Sequence, residues 1–231
     1  MPRSDQPGMT GKCYNPSGHC DQTMCLDRCV WTPQTQQERH WAGEPGDEYH
    51  MRSPGNEESN YHLFRKALAC SDLKYDCSIL ELGCGTGAGL RAMQRCYSYP
   101  KLTGVEINRD AIEKAPSYAR LIRSSILDWE PDDEWQLVYT RGVLIHIHPD
   151  ALPKAYATMV KASSRYILTC EYFAPQRRMI PYRGIDERLW AADYAGELIE
   201  QHGLKLVDYG FVSKRDLHPQ DDLTWWLMEK S

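Results

Sequence analysis

The sequence predicts an α/β fold in which a mainly parallel sheet carries helices on both faces. Strand-like and helix-like segments alternate from about residue 77 onward, and a glycine-rich turn follows the first predicted strand. This alternation is typical of βαβ units, whose crossover helices cover the sheet. The chain has 231 residues, of which 42% are hydrophobic. One domain with a short appendage therefore fits the length.

Each predicted element follows from its local pattern of apolar and turn-forming residues. The predicted strands are CSILEL, KLTGVEI, ARLIRSS, WQLVYT, RYILTCEY, LKLVDYGFV and LTWWLME, and the last two can form an antiparallel hairpin at the sheet edge. The predicted helices are TQQERHW, ESNYHLFRKALAC, AGLRAMQRCY, NRDAIEKA, PDALPKAYATMVKAS and DERLWAADYAGELIEQHG. Asn108 is an expected N-cap and Gly203 an expected helix stop. The segment AGEPGDEYHMRSPGN is rich in turn residues and is expected to be a connector.

Composition excludes several classes of function. The formal net charge is −5 and the basic residues are scattered, so nothing indicates a nucleic-acid surface. The apolar runs are too short for a membrane-spanning helix. The first residues, MPRSDQPGMTGK, lack the apolar core of a secretory signal. We therefore expect a cytoplasmic protein whose partner is a small molecule.

Four of the nine cysteines crowd the first thirty residues. They are Cys13, Cys20, Cys25 and Cys29. Zinc sites usually space paired ligands by two to four residues; Cys25 and Cys29 meet that spacing, but two separate pairs of that kind are not present among these four cysteines. We expect reduced thiols packed as small hydrophobic groups in a reducing compartment, and no metal site.

The stretch ILELGCGTGAGL carries the main functional signal. Glu81 ends a buried strand, and Gly83, Gly85 and Gly87 then let the backbone turn tightly and approach a ligand. The glycine spacing differs from that of a dinucleotide site, and a carboxylate there attracts an ammonium group rather than a pyrophosphate. Glu106 ends the next strand, where a carboxylate can accept hydrogen bonds from both ribose hydroxyls. The implied ligand has a ribose and a cationic amino-acid end, which fits S-adenosylmethionine.

This arrangement resembles the class I S-adenosylmethionine-dependent methyltransferases over roughly residues 75–230. The resemblance implies a Rossmann-like seven-stranded sheet whose last strand is antiparallel. It places the methionine end of the cofactor at the glycine-rich turn, the ribose at Glu106 and the adenine at the residues after the second and third strands. Many members have an acid where this sequence has Ser125. The implied cofactor-binding residues are Tyr49, Arg52, Glu81, Gly83, Gly85, Gly87, Glu106, Ile107, Ser125, Ile126 and Thr140.

A narrower resemblance concerns the methylases found with pseudaminic acid biosynthesis. It rests on the segments GEPGDEYHMRS, GVLIHIHPDALPKAY and YILTCEYFAP. Tyr49 and Arg52 match the entry segment of that family, where the arginine can pair with the carboxylate of the cofactor. The match does not identify the acceptor.

Four residues are candidates for the reaction centre. His146 is expected to be a proton acceptor, because histidine ordinarily titrates near neutral pH. Glu171 and Tyr172 end the fifth predicted strand and face the crevice in this fold. Tyr182 lies with Arg183 in PYRG, on a loop that can cover the crevice, and a tyrosine stabilises a sulfonium by cation–π contact. Core packing is the alternative for each aromatic residue.

The sequence leaves three functions open. The first is a methyltransferase acting through nitrogen or oxygen on a small polar acceptor, because positioning supplies most of the rate. The second is an azetidine-2-carboxylate synthase, in which the α-amine of the cofactor attacks its γ-carbon and methylthioadenosine leaves. The third is a cofactor-binding subunit without turnover.

Residues 1–56 are predicted to form a Cys-rich helical and irregular lid ahead of a methyltransferase-fold domain at residues 57–231. Trp31, Trp41 and Tyr49 are large apolar groups outside the alternating core and need a surface to dock on. A lid excludes water from the site, which serves methyl transfer and cyclisation alike.

Overall fold

The computed structural model describes residues 33–53, 55–182, 184 and 187–231. The strands are β1 Ser78–Leu82, β2 Lys101–Glu106, β3 Arg120–Arg123, β4 Trp135–Arg141, β5 Ser163–Glu171, β6 Arg178–Met179, β7 Trp190–Ala191, β8 Lys205–Val212 and β9 Leu223–Glu229. The helices are α1 Gln36–Ala42, α2 Glu44–Arg52, α3 Glu57–Ala67, α4 Ala88–Cys96, α5 Arg109–Ile112, α6 Leu152–Ala162 and α7 Tyr194–His202. In this part of the chain, no helix has the length and apolar character needed to cross a bilayer.

The main sheet has seven strands in the order β3-β2-β1-β4-β5-β9-β8. Strands β1 to β5 pair in parallel. Strand β9 is antiparallel to both β5 and β8, so it is inserted between them. The predicted seven-stranded sheet, its antiparallel last strand and the final hairpin are confirmed.

Side chains of the buried strands pack alternately into two hydrophobic layers, because successive residues of a strand point to opposite faces of the sheet. Ile79 of β1 packs in the layer that contains Leu63 and Phe64 of α3 and residues of α4. Leu80, its neighbour, packs in the other layer with Tyr156 of α6 and residues of α7. Helices on both faces are therefore confirmed.

Two predicted elements were wrong. The expected connector contains α2, because Pro45 lies in the first turn, where its missing N–H costs no helical hydrogen bond. The long helix predicted over DERLWAADYAGELIEQHG begins only at Tyr194. Asp193 caps it by accepting a hydrogen bond from the Gly196 amide at 2.9 Å. The preceding Trp190–Ala191 instead pairs with β6.

Helices α1 and α2 are fastened to the sheet domain through the loop after β2. Asn108 caps α5 by accepting a hydrogen bond from the Ala111 amide at 2.8 Å, as predicted. Its side-chain amide donates to the Trp41 carbonyl at 2.9 Å and to the Asp47 carboxylate at 2.7 Å. The Asn108 residue is fully buried. One side chain therefore satisfies a helix end and joins the N-terminal helices to the core.

We expect Asn108→Ala to cost about 2–3 kcal/mol of unfolding free energy, since it removes a cap and leaves two acceptors without their donor. Asn56→Ala is the matched control, because Asn56 caps α3 through the Ser59 amide. That variant should lose only about 1 kcal/mol. Urea denaturation measures both values. Equal losses for the two variants would show that the Asn108 contacts with α1 and α2 add nothing to stability.

Candidate functional site

A cavity lies at the carboxyl ends of β1, β2 and β4, and residues of α1 and α2 line one side of it. It holds about 1170 Å³ of empty space, part of which is open to solvent. Nine predicted site residues line it: Tyr49, Glu81, Gly83, Gly85, Glu106, Ile107, Ser125, Ile126 and His146. The structure therefore brings together most of the residues that the sequence singled out.

The glycine-rich turn needs glycine for conformational and steric reasons. Gly83, Gly85 and Gly87 have φ of 75°, 52° and 80°, in the left-handed region that side chains disfavour. A Cβ atom at Gly83 would also lie 2.6 Å from a methyl group of Val143. Gly87 is the N-cap of α4 and is not part of the cavity lining. The bare backbone of this turn thus forms one wall of the cavity.

Glu106 ties the glycine-rich turn to the end of β2. One carboxylate oxygen accepts from the Gly85 amide at 2.7 Å, and the other accepts from the Asn108 amide at 2.8 Å. Burial raises the pKa of Glu106, while these amides oppose the shift. A carboxylate can accept about four hydrogen bonds. Acceptor capacity that these amides do not use can therefore serve a ligand.

Glu81 is a buried acid with unmet hydrogen-bonding capacity. Among the described residues, none makes a hydrogen bond to its Oε2 atom. Its pKa is raised from 4.5 to about 8, mainly by burial; the Tyr139 hydroxyl and Arg141 oppose the shift, and the nearby Glu106 carboxylate adds to it. Gly89 of α4 leaves room for the acid, because a Cβ atom there would lie 2.3 Å from Glu81 Oε1. The Glu81 carboxylate therefore presents a site for a cation in the cavity.

Helix α1 reaches the far end of the cavity through Glu38. Its carboxylate accepts a hydrogen bond from the Ser125 hydroxyl and accepts from the backbone amides of Gln34 and Thr35 at 2.8 and 2.7 Å. The Ser125 hydroxyl accepts in turn from the Leu127 amide at 3.1 Å. Glu38 thus brings an acid from α1 to Ser125.

His146 lies in a short 3-10 turn, with an aromatic ring on either side. Its ring is 4.5 Å from the Trp41 ring and 5.6 Å from the Tyr182 ring, measured between centroids. Its Nδ1 atom is 2.8 Å from the Arg188 carbonyl. Since a carbonyl only accepts, Nδ1 carries the proton and Nε2 keeps a lone pair. Burial lowers the pKa of His146 to about 4, so the ring is neutral at pH 7.

The cavity lining does not include Arg52, Thr140, Glu171, Tyr172 or Tyr182. Arg52 is exposed, with its guanidinium carbon 5.9 Å from the Tyr49 ring centroid. Glu171 accepts hydrogen bonds from the Val143 and Ile145 amides, so its carboxylate stabilises the turn that holds His146.

The other three residues lie near the cavity without lining it. Thr140 is fully buried in β4, and Tyr182 contacts His146. Burial raises the pKa of Tyr172 to about 12, and the neighbouring Asp221 adds to the shift. Arg183, Trp31 and the four N-terminal cysteines lie outside the described residues.

Sequence reasoning missed several lining residues, including Glu38, Asn60 and Arg141. One signal was available, because Thr35 and Glu38 form the T-x-x-E capping box that marks a helix start. Nothing in the local sequence connects that box with Ser125, which lies 87 positions further on.

The comparisons with known proteins identify the fold. A family model described as a methyltransferase domain matches residues 79–164, from β1 to the start of β5. Magnesium protoporphyrin IX methyltransferase from Synechocystis PCC 6803 with bound S-adenosylmethionine is 11% identical, with a TM-score of 0.62 over 87% of this chain and 100% of that chain. Its complex with S-adenosylhomocysteine gives 13% identity and a TM-score of 0.63 over 84% and 98% of the chains.

A third structure, an S-adenosylmethionine-dependent methyltransferase from Clostridium acetobutylicum ATCC 824, is 12% identical, with a TM-score of 0.59 over 80% of this chain and 97% of that chain. No curated protein sequence matches. The chain therefore has the fold of the S-adenosylmethionine-dependent methyltransferases.

We expect Glu81→Gln to stabilise the ligand-free protein at pH 8 by about 1–3 kcal/mol, because glutamine does not titrate and avoids the cost that the raised pKa of Glu81 imposes at this pH. The folded chain holds the Glu81 proton up to about pH 8, whereas the unfolded chain releases it near 4.5. The wild type must therefore lose stability as the pH rises between these values. Glu106, Glu171 and Arg141 are unchanged in the variant, so their own contributions to the pH dependence cancel when it is compared with the wild type. Urea denaturation at pH 5 and pH 8 should give a smaller pH-dependent loss for the variant, and equal losses would contradict the assignment.

Proposed function

We propose that the protein binds S-adenosylmethionine and transfers its methyl group to the nitrogen or oxygen of a small polar acceptor. The observation that carries this proposal is the buried, unpartnered Oε2 atom of Glu81 beside the glycine-rich turn. Burial keeps this acid protonated in the ligand-free chain up to about pH 8, and a bound cation stabilises its ionised form. The α-ammonium group of S-adenosylmethionine is such a cation, so the residues present fit the cofactor.

The rest of the cavity suits the nucleoside part of the same cofactor. Glu106 is oriented by two backbone amides and retains acceptor capacity for the ribose hydroxyls. Ile107 and Ile126 add apolar surface for an adenine ring, and both line the cavity. Glu38, held by Ser125, brings a carboxylate toward the exocyclic amine.

The cofactor supplies a methyl group that its positive sulfur already activates, so the protein needs to position the acceptor and remove its proton. His146 is placed for the second task, because it is neutral and the Arg188 carbonyl fixes its tautomer. Glu171 holds the turn that carries His146. Tyr172 and Tyr182 lie next to this region and can contact an acceptor.

Helices α1 and α2 are proposed to act as the lid of this site. Trp41 packs against His146 and Tyr49, and both Trp41 and Tyr49 line the cavity. The α1 backbone carbonyl of Gln36 accepts from Arg188 at 3.0 Å, which joins the lid to the loop that orients His146. Closure of the lid would therefore exclude water and, at the same time, complete the reaction centre.

The same aromatic groups support a second candidate reaction, the cyclisation of the cofactor to azetidine-2-carboxylate. That reaction needs aromatic surface near the sulfonium and no second substrate. Trp41 and Tyr49 supply such surface inside the cavity. The two reactions differ in what they release when no acceptor is present.

We expect S-adenosylhomocysteine to bind the purified protein and Glu106→Gln to weaken that binding by about 1.5–3 kcal/mol, since an amide accepts ribose hydrogen bonds less strongly than a carboxylate. Isothermal titration calorimetry measures the affinity. Glu44→Gln is the charge-matched control, because Glu44 is exposed and does not line the cavity. Unchanged affinity in Glu106→Gln would contradict the proposal that Glu106 binds the ribose.

Incubation of the protein with S-adenosylmethionine alone should leave the cofactor largely intact, and S-adenosylhomocysteine should form only when an acceptor is supplied. Liquid chromatography of the products distinguishes the candidate functions. Repeated release of methylthioadenosine from the cofactor alone would overturn methyl transfer and support cyclisation. Binding without either product across an acceptor panel would support a subunit without turnover.

A further inference from the structure

Arg141 is a cationic residue of the cavity that has no role in the reaction proposed above. It ends β4 and lines the cavity close enough to Glu81 to lower the pKa of that acid. Its Nε atom is buried and makes no hydrogen bond with the described residues. Its guanidinium donates a hydrogen bond to the side-chain oxygen of Gln220, a neutral amide. The guanidinium therefore has a buried donor that no described residue uses.

A hydrogen-bond relay from two distant elements holds this guanidinium in place. Gln220, in the loop between β8 and β9, accepts from Arg141 and donates to the Asn60 carbonyl oxygen at 3.1 Å. Gln220 and Asn60 are both buried, with 6% and 2% of their surfaces exposed. The relay fixes the Arg141 side chain without neutralising it, since both partners are uncharged.

The cavity thus contains one acceptor group and one donor group, each with an atom that makes no hydrogen bond to a described residue. Glu81 Oε2 lacks a donor, and Arg141 Nε lacks an acceptor, among the described residues. Leaving such groups unmet costs free energy, and a direct ion pair between them would have removed that cost. A ligand with an ammonium and a carboxylate on one carbon satisfies both groups at once. An α-amino acid has this structure.

We propose that Arg141 binds the α-carboxylate of the amino-acid part of the ligand while Glu81 binds its α-ammonium group, and that Gln220 is the positioning residue for Arg141. This inference rests on the proposed function, since it takes the ligand to be S-adenosylmethionine or its product. It assigns the carboxylate to Arg141 in place of the exposed Arg52. Planar guanidinium groups recognise carboxylates with paired N–H donors, which gives the site direction as well as charge.

The test compares two ligands that differ by one carboxylate. S-adenosylhomocysteine has both the amine and the carboxylate, whereas decarboxylated S-adenosylhomocysteine keeps the amine and the thioether and lacks only the carboxylate. Calorimetry should show that Arg141→Met weakens S-adenosylhomocysteine binding by about 10- to 100-fold, which is the effect of a hydrogen bond to a charged group. The affinity for the decarboxylated ligand should change less than about twofold.

Two further variants separate positioning from general damage. Gln220→Glu places a carboxylate against Arg141 and also loses the donor to Asn60. It should lower the preference for the carboxylate-bearing ligand at least about threefold, and the ratio of the two affinities is the readout because general damage would weaken both ligands alike. Arg52→Met removes an exposed arginine outside the cavity lining and should leave both affinities unchanged.

The outcomes distinguish this inference from the proposed function. Failure of the wild type to bind S-adenosylhomocysteine would reject the proposed function. Normal wild-type binding with an equal loss for both ligands in Arg141→Met, or with no loss, would reject only the carboxylate assignment. A selective loss of S-adenosylhomocysteine binding in Arg52→Met would give the role to Arg52 instead.

Discussion

The carboxylate of Glu106 is the junction on which the architecture of the site depends. Through the Gly85 amide it holds the glycine-rich turn, and through the Asn108 amide it holds the start of α5. The Asn108 side chain then extends the connection to Trp41 and Asp47 of the N-terminal helices. A single acid at the end of β2 therefore links one wall of the cavity to the helices that cover it.

The buried ionisable groups of the site are of two kinds. Some have their hydrogen bonds supplied by the protein, and others keep atoms that are free to bind a ligand. Glu171 receives backbone amides and serves the turn that carries His146, although burial raises its pKa to about 7. Glu81 and Arg141 keep unused atoms on the cavity side of the sheet. Stability lost at such positions is regained when a ligand binds, which is a common relation between fold stability and function.

The sheet and the glycine-rich turn could be predicted because their signals are local. Buried strands, a capping asparagine and glycines with positive φ each act within a few residues. Helix α2 was missed because Pro45 and Gly46 suggest a turn, whereas Gly46 is there for packing: a Cβ atom would lie 2.1 Å from the Trp41 carbonyl oxygen. The contacts of Glu38 with Ser125 and of Arg141 with Gln220 join segments 87 and 79 positions apart. Only the folded chain reveals such pairs.

The position of β9 between β5 and β8 has a consequence for the order of assembly. A ribosome delivers β8 before β9, the strand through which β8 joins the sheet. Until residues 223–229 emerge, the edge of β5 and the backbone of β8 are both open to pairing with a wrong partner. Gln220 lies just before this strand, so Arg141 gains its hydrogen-bond partner only after that later segment has been made. Ligand affinity in a nascent chain would therefore report that the last strand has docked.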